Sequence, residues 1–231
     1  MWRSASGESY EAIAAVSGPA TMGTLAAPLG AGPLGRWDRA SAMLVDLFGG
    51  GLSSRADADV FAGANALAVR STAGTWEILQ FAVAELVAEN RYRLSRLLRG
   101  QLGTEDAMAA GHAAGAAAVL LTPAVTTVPL DRSAVGLSRL YRVGPPAGGI
   151  AGPAVVETSF AASGRGILPL SPMHPRARRA EDGRVVMSWI RRTRVGGDAW
   201  PGADVPPGEC APSYRPECHY GGAVLATVSA G

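Results

Sequence analysis

Cys210 and Cys218 stand close together near the C-terminal end of the sequence, and His219 follows directly. A thiol pair beside an imidazole can begin a zinc site, form a disulfide or remain as free thiols. Structural zinc takes four ligands at tight spacing, and the other histidines, His112 and His174, are distant in sequence. Inert thiols are therefore the default expectation, and no metal is assigned. No other spacing marks out reaction chemistry. Gly164-Arg165-Gly166 is not followed by the Lys-Ser or Lys-Thr of a phosphate loop. No Gly-x-Ser-x-Gly elbow occurs, and no histidine is spaced from a serine or cysteine so as to suggest a dyad. No two carboxylates are marked out for glycosidic hydrolysis. The expectation is a protein that is not an enzyme, with no catalytic residue and no cofactor.

Arginine offers chemistry of another kind. All 21 basic residues are arginine, a bias that fits a GC-rich coding sequence. Arginine also pairs with carboxylates in a planar, bidentate way suited to contacts between subunits. Arg36, Trp37, Asp38 and Arg39 form a compact cluster. One reading is a subunit contact with Trp37 as its hot spot. The simpler reading, and the favoured one, is a tryptophan capping the core beside an intramolecular Arg–Asp pair. Arg91, Arg93, Arg96 and Arg99 would split between two faces of a strand, Arg91 and Arg93 on one and Arg96 on the other. Glu77, Glu85 and Glu89 stand near as salt-bridge partners. Arg176, Arg178, Arg179, Arg191, Arg192 and Arg194 would be brought together by strand pairing and form a docking surface. The candidate interface residues are Arg36, Trp37, Arg39, Arg191, Arg192 and Arg194.

A formal net charge of +2 is too small to imply nucleic acid. An arginine stripe for single strands would also need several stacking aromatics, and only Tyr92 is at hand. The longest apolar run, Ala113–Leu121, falls short of the roughly 20 residues that a membrane span needs. Met1–Gly18 lacks the basic-then-apolar order of a secretory signal. Neither membrane insertion nor nucleic acid binding is expected.

The elements that must position these groups are short. Gly and Pro number 30 and 16 among 231 residues and recur as punctuation, the pattern of all-β sandwiches and barrels. Alternation predicts a strand over Ser41–Phe48, with Met43, Val45 and Leu47 on one face. Further strands are expected at Ala66–Ser71, Val119–Val128 and Val155–Ala161. Leu79, Phe81 and Val83 share a face, as do Tyr92, Leu94, Arg96 and Leu98. Thr75–Gly100 also reads as a long helix, because Leu79, Val83, Leu86, Val87, Asn90, Leu94, Leu97 and Leu98 fall at helical spacing. Against the helix, Asn90 would sit in the apolar stripe and the residues after it alternate. A short helix is expected at Thr104–Ala113, with Thr104 as N-cap.

Three segments, in order, carry a family resemblance: GPLGRWDRAS at Gly32–Ser41, TWEILQFAVAELVAENRYRLSRLLRGQLGTED at Thr75–Asp106, and RVVMSWIRRTRVGGDAW at Arg184–Trp200. They resemble blocks of the large tail-tip proteins of siphophage-like particles, especially the gene transfer agent hub protein. Relatives in this resemblance carry Pro or Gly near Ala88–Asn90, which implies a β-hairpin turning there. The fold expected is mainly β: a sandwich- or barrel-like region over residues 1–168, then a partial fibronectin type III-like module over residues 169–231. In that module Pro175–Arg179 and Arg184–Arg191 would be strands, with Val185, Met187 and Trp189 on the buried face. The prolines Pro206, Pro207, Pro212 and Pro216 fall where later strands would be, so the resemblance ends near Glu209.

The resemblance implies a structural component of a tail tip or baseplate hub, a piece of a longer protein, packing on other tail subunits as a homotrimer. It implies assembly in the bacterial cytoplasm, residence in the particle's tail tip and a role in host attachment through a cell-surface receptor. A carbohydrate- or receptor-binding module is the rival. It would need exposed aromatics among Trp2, Trp37, Trp76, Trp189 and Trp200, of which Trp76 and Trp189 are expected to be buried. An accessory domain of a cell-wall hydrolase stands third.

Overall fold

A computed structural model describes residues 1–16, 18–194, 213–220 and 223–227. The chain divides into two compact units, Met1–Ile167 and Leu168–Gly231. The first unit holds β1 (Trp2–Ser4), β2 (Glu11–Ala12), β3 (Met22–Leu25), β4 (Asp38–Leu47), α1 (Asp57–Phe61), β5 (Ala66–Arg70), β6 (Trp76–Ala88) and β7 (Arg91–Gln101). It continues with α2 (Glu105–Ala110), β8 (Ala117–Leu120), β9 (Ser138–Val143) and β10 (Val156–Ala161). The fold is mainly β.

Six strands close a barrel in the order β3-β4-β7-β6-β5-β8, every pairing antiparallel. Alternating apolar residues fill it. Met43, Val45 and Leu47 come from β4, Leu67 and Val69 from β5, Leu79 and Phe81 from β6, and Leu94 and Leu97 from β7. Side chains of this size stabilise by about 1.5–3 kcal/mol each when fully buried. Closure also leaves the barrel without a bare strand edge.

Thr75–Gly100 is a hairpin, not a helix. Ala88 lies opposite Arg91, and Glu89–Asn90 make the turn. The turn holds neither Gly nor Pro. Asn90 adopts the left-handed conformation, φ 56°, which asparagine tolerates better than most residues. Helical propensity is overridden because the sheet buries Leu79, Phe81, Leu94 and Leu97 together, and packing outweighs propensity in most protein segments.

Four expectations about faces and lengths are corrected. The inward alternation slips by one residue on both hairpin strands. On β6 the core positions run Leu79, Phe81 and then Ala84, and on β7 Tyr92, Leu94 and then Leu97. Arg96 sits at the slip with φ 54°. Val83 and Leu98 therefore leave the faces assigned to them and join a second cluster with Val60, Ala82 and Trp37, outside the barrel wall. The strand expected at Val119–Val128 is only Ala117–Leu120, because Pro123 follows so soon and cannot donate to a ladder. Thr104 stands at the N-cap position of α2 but makes no cap bond. Its hydroxyl donates to the Gln101 carbonyl at 2.7 Å and accepts the Ile78 N–H at 2.9 Å.

β10, β9, β1 and β2 form a second, four-stranded antiparallel sheet. After it, Arg165 pairs with Asp106 in α2 and donates to the Gly103 carbonyl.

In the second unit, β11 (Met173–Arg179) pairs with β12 (Val185–Ile190), and β13 (Glu217–Tyr220) pairs with β14 (Ala223–Thr227). The expected buried face of β12 is not buried. Val185 is 57% exposed and Met187 37%, and Trp189 is half-buried.

Candidate functional site

At one end of the barrel the interior rows of β6 and β7 finish in charge instead of hydrocarbon. Glu77 precedes Leu79 and Phe81 on one strand, and Arg99 follows Leu97 on the other. Neither is exposed. Arg99 Nε donates to Glu77 Oε1 at 2.8 Å, and Nη2 to Oε2 at 2.9 Å. Nη2 also reaches the Gly30 carbonyl at 3.1 Å. The Gly100 N–H donates to Glu77 Oε1 at 2.9 Å.

His112 completes the cluster from beyond α2. Its Nε2 lies 2.6 Å from Glu77 Oε2, and its Nδ1 lies 2.9 Å from the Arg70 carbonyl. Both ring nitrogens thus face acceptors. Asp38, at the start of β4, puts Oδ2 3.8 Å from Arg99 Nη1. Its Oδ1 accepts the N–H groups of Ala40 and Ser41. Two acidic and two basic side chains are closed off together.

Burial pushes the Glu77 carboxyl upward. Hydrogen bonds from His112 and Arg99, the Arg99 charge and the Gly100 N–H outweigh it, leaving Glu77 below its ordinary range. Burial likewise raises Asp38. The N–H groups of Ser41 and Ala40, the Ser41 side chain and the Arg99 charge carry it below the usual value. The cluster is closed to solvent and ties β6 and β7 to the loops around them.

What it holds is the loop at Ala26–Gly35. Leu29 and His112 exchange two backbone hydrogen bonds, at 2.9 and 2.8 Å. Gly32 lies against the ion pair: a β-carbon there would stand 2.9 Å from both Arg99 Nη1 and Asp38 Oδ2. One at Gly100 would stand 2.8 Å from Leu34 Cδ2, and Gly100 has φ 58°. The Gly-Pro-Leu-Gly and Arg-Gly-Gln-Leu-Gly segments, far apart in sequence, are therefore two sides of one joint.

The candidate interface residues are distributed differently. Arg36 and Arg39 are exposed, while Asp38 between them is buried. The expected Arg–Asp pair is made, but with Arg99. Trp37 is half-buried against Phe61, ring centroids 5.4 Å apart, with the Arg96 guanidinium 5.2 Å above it. Arg96 pairs with Asp57, so it lies on the outer wall with Arg91 and Arg93, and not on the face opposite them. Arg91 pairs with Asp46 and Arg93 with Glu85.

In the second unit Arg192 donates to the Ser171 carbonyl and Arg194 to the Leu168 carbonyl. Arg191 is half-buried. The six arginines there do not converge. Arg178 and Arg179 lie opposite Val186 and Val185, whereas Arg191 follows Ile190, which pairs with Met173 at the other end. Six residues of strand separate the two ends, about 20 Å.

Trp76, expected to be buried, is 40% exposed, because β6 turns Glu77 inward in its place. Trp189 and Tyr214, ring centroids 5.0 Å apart, line a pocket of about 400 Å³ with Met187, Pro175, Arg176 and Glu217. Cys210 and Trp200 lie outside the described residues, as do the side chains of Cys218 and His219. Among the described residues, no three of His, Cys, Asp and Glu gather so as to hold a metal ion.

Residues 20–119 match the model of the Rcc01698-like, C-terminal family. That range takes in most of the first unit: the barrel but for the last residue of β8, both helices and the ion cluster. No curated protein matches the chain.

Proposed function

We propose that the chain is a structural component of a phage-like tail tip or baseplate hub, acting through assembly and not through chemistry. One observation carries the reading. Two of the segments that resemble the gene transfer agent hub protein lie inside the family match over residues 20–119, and they meet in one sealed joint. Their glycines and charges serve packing. In the particle the chain packs on other tail subunits, as a homotrimer, with Arg36, Trp37 and Arg39 at a contact. It is assembled in the bacterial cytoplasm. The experiment is to tag the chain, isolate particles from a producing host and locate the tag by immunogold electron microscopy. Gold at the tail tip supports the reading, and particles free of the chain overturn it.

A second reading has its own observation. The Trp189–Tyr214 pocket joins aromatic rings to an arginine and a carboxylate, the mixture of apolar walls and few polar groups typical of ligand sites. A cell-envelope saccharide is the ligand class it would take. Titration of envelope polysaccharide fragments against tryptophan fluorescence tests it, and an unchanged spectrum removes it.

A further inference from the structure

Natural sheets blunt their free edges with charge, proline, a bulge or short length. In the first unit the barrel is closed, and the four-stranded sheet ends on one side in β2, two residues long. Its other edge, β10, carries no proline or bulge and is not short. Val156–Ala161 runs six residues in unbroken register against β9, without proline. Its single charge, Glu157, is already held by Arg142 and Tyr10. All six residues are exposed, Val156 to 67% and Phe160 to 59%. Among the described residues, no backbone group of this strand bonds outside the β9 ladder. Alternate N–H and C=O groups therefore point outward, unmatched.

We propose that β10 pairs, antiparallel and about a two-fold axis, with β10 of a second copy of this chain. The strand's own sequence selects the register. Centred on Thr158, the pairing sets Val156 opposite the partner's Phe160, and Glu157 opposite the partner's Ser159. Apolar cross-strand pairs of this kind stabilise a sheet, whereas like charges directly opposite destabilise it. Centring on Glu157 would oppose two carboxylates, and centring on Ser159 would leave Val156 outside the ladder. Val156, Thr158 and Phe160 share a face with Tyr141, whose ring meets Phe160 edge-on at 6.4 Å. The joint thus continues an apolar row already begun within one copy. Six residues of strand bury less than the roughly 1,000 Å² expected of a strong interface, so the pairing is weak and concentration-dependent. A two-fold joint cannot lie within a three-fold ring of the same subunits, and this one stands whether or not the tail-tip reading holds.

Sedimentation of the full chain over a range of concentrations reads it out, with T158K and T158E alongside. Across the axis, residue 158 faces its own copy at about 5 Å. Each variant alone therefore opposes like charges and weakens dimerisation by about tenfold or more. An equal mixture of the two opposes unlike charges and restores the dimer, which also shows that both variants are folded. A native chain that stays monomeric, or a T158K chain that dimerises like the native one, overturns the proposal. Failure of the mixture to recover when each variant alone is monomeric also overturns it, since it places the contact in another register.

Discussion

Arg99 and Glu77 meet through two parallel hydrogen bonds of 2.8 and 2.9 Å, and neither side chain is exposed. A bidentate pair in that setting is strong only while both halves are present. Arg99→Ala would leave Glu77 and Asp38 buried without their cation. Breaking such a pair typically costs about 3–5 kcal/mol, and that loss is expected in chemical unfolding of the first unit. Arg99→Lys should recover little of it, since an ammonium cannot span both carboxylate oxygens. A loss below about 1 kcal/mol for the alanine variant would mean that water reaches the cluster.

The same pair sets an acid limit. Glu77 and Asp38 both lie below their ordinary values in the folded chain. In the unfolded chain they take up protons at a higher pH than in the folded one. Their contribution is therefore complete above the ordinary carboxylate range, about pH 4, and fades as pH falls through the lower folded values. Unfolding midpoints measured from pH 6 downward should fall in that window. Glu77→Gln should start less stable and show a shallower decline. Equal slopes for the two proteins would assign the acid sensitivity elsewhere.

Gly32 and Gly30 make a matched pair of tests in one loop. A methyl group at Gly32 would press on Arg99 and Asp38, with Arg99 Cγ at 3.0 Å as well as the two charged atoms. Overpacking of this kind costs about 1–3 kcal/mol. At Gly30 a methyl group would meet nothing within 4 Å, so Gly30→Ala should stay within about 0.5 kcal/mol of the parent. Equal effects at both positions would mean that the loop moves away from the cluster.

The elements were legible where alternation was strict. Met43, Val45 and Leu47 point inward as their spacing predicts. The hairpin rested on the family resemblance, because Glu89–Asn90 carries no Gly or Pro. The signal in the residues themselves was Asn90, whose tolerance of the left-handed region suits it to a turn. The slip of alternation at Arg96 was not legible, since its φ of 54° is imposed by the way the barrel bends and not by any preference of arginine. The ion cluster was half legible. Glu77 stands two residues before Leu79, so period two puts it inside, whereas Arg99 faces in only because the alternation slips at Arg96 between Leu94 and Leu97. His112 comes from a loop with no periodicity, and only the folded chain shows where it goes.

Asn90 can be tested by itself. Asn90→Gly should be neutral or slightly stabilising, because glycine enters the left-handed region without steric cost. Asn90→Val should cost about 1–2 kcal/mol, the penalty of that region for a side chain crowded at its β-carbon. Thermal unfolding of the three proteins compares them. A valine variant as stable as the parent would place the turn in another conformation.

Arg36 and Arg39 can separate assembly from stability, since both side chains are exposed while Asp38 between them is buried. Reversing both charges should leave unfolding within about 0.5 kcal/mol of the parent, as for most surface changes. Trp37→Ala should do more, because it removes the ring that Phe61 and Arg96 pack against and opens the cluster with Val60, Ala82 and Leu98. Phe61, 67% exposed, would lose its ring partner as well. A half-buried ring is worth less than the 3–5 kcal/mol of a fully buried one, so about 1–2 kcal/mol is expected. The reading of this patch as a subunit contact then makes a separate demand. The charge-reversed chain, folded and stable, should enter particles poorly when it competes with the tagged parent in one producing host. Equal incorporation would leave Trp37 with its packing role and remove Arg36 and Arg39 from the interface.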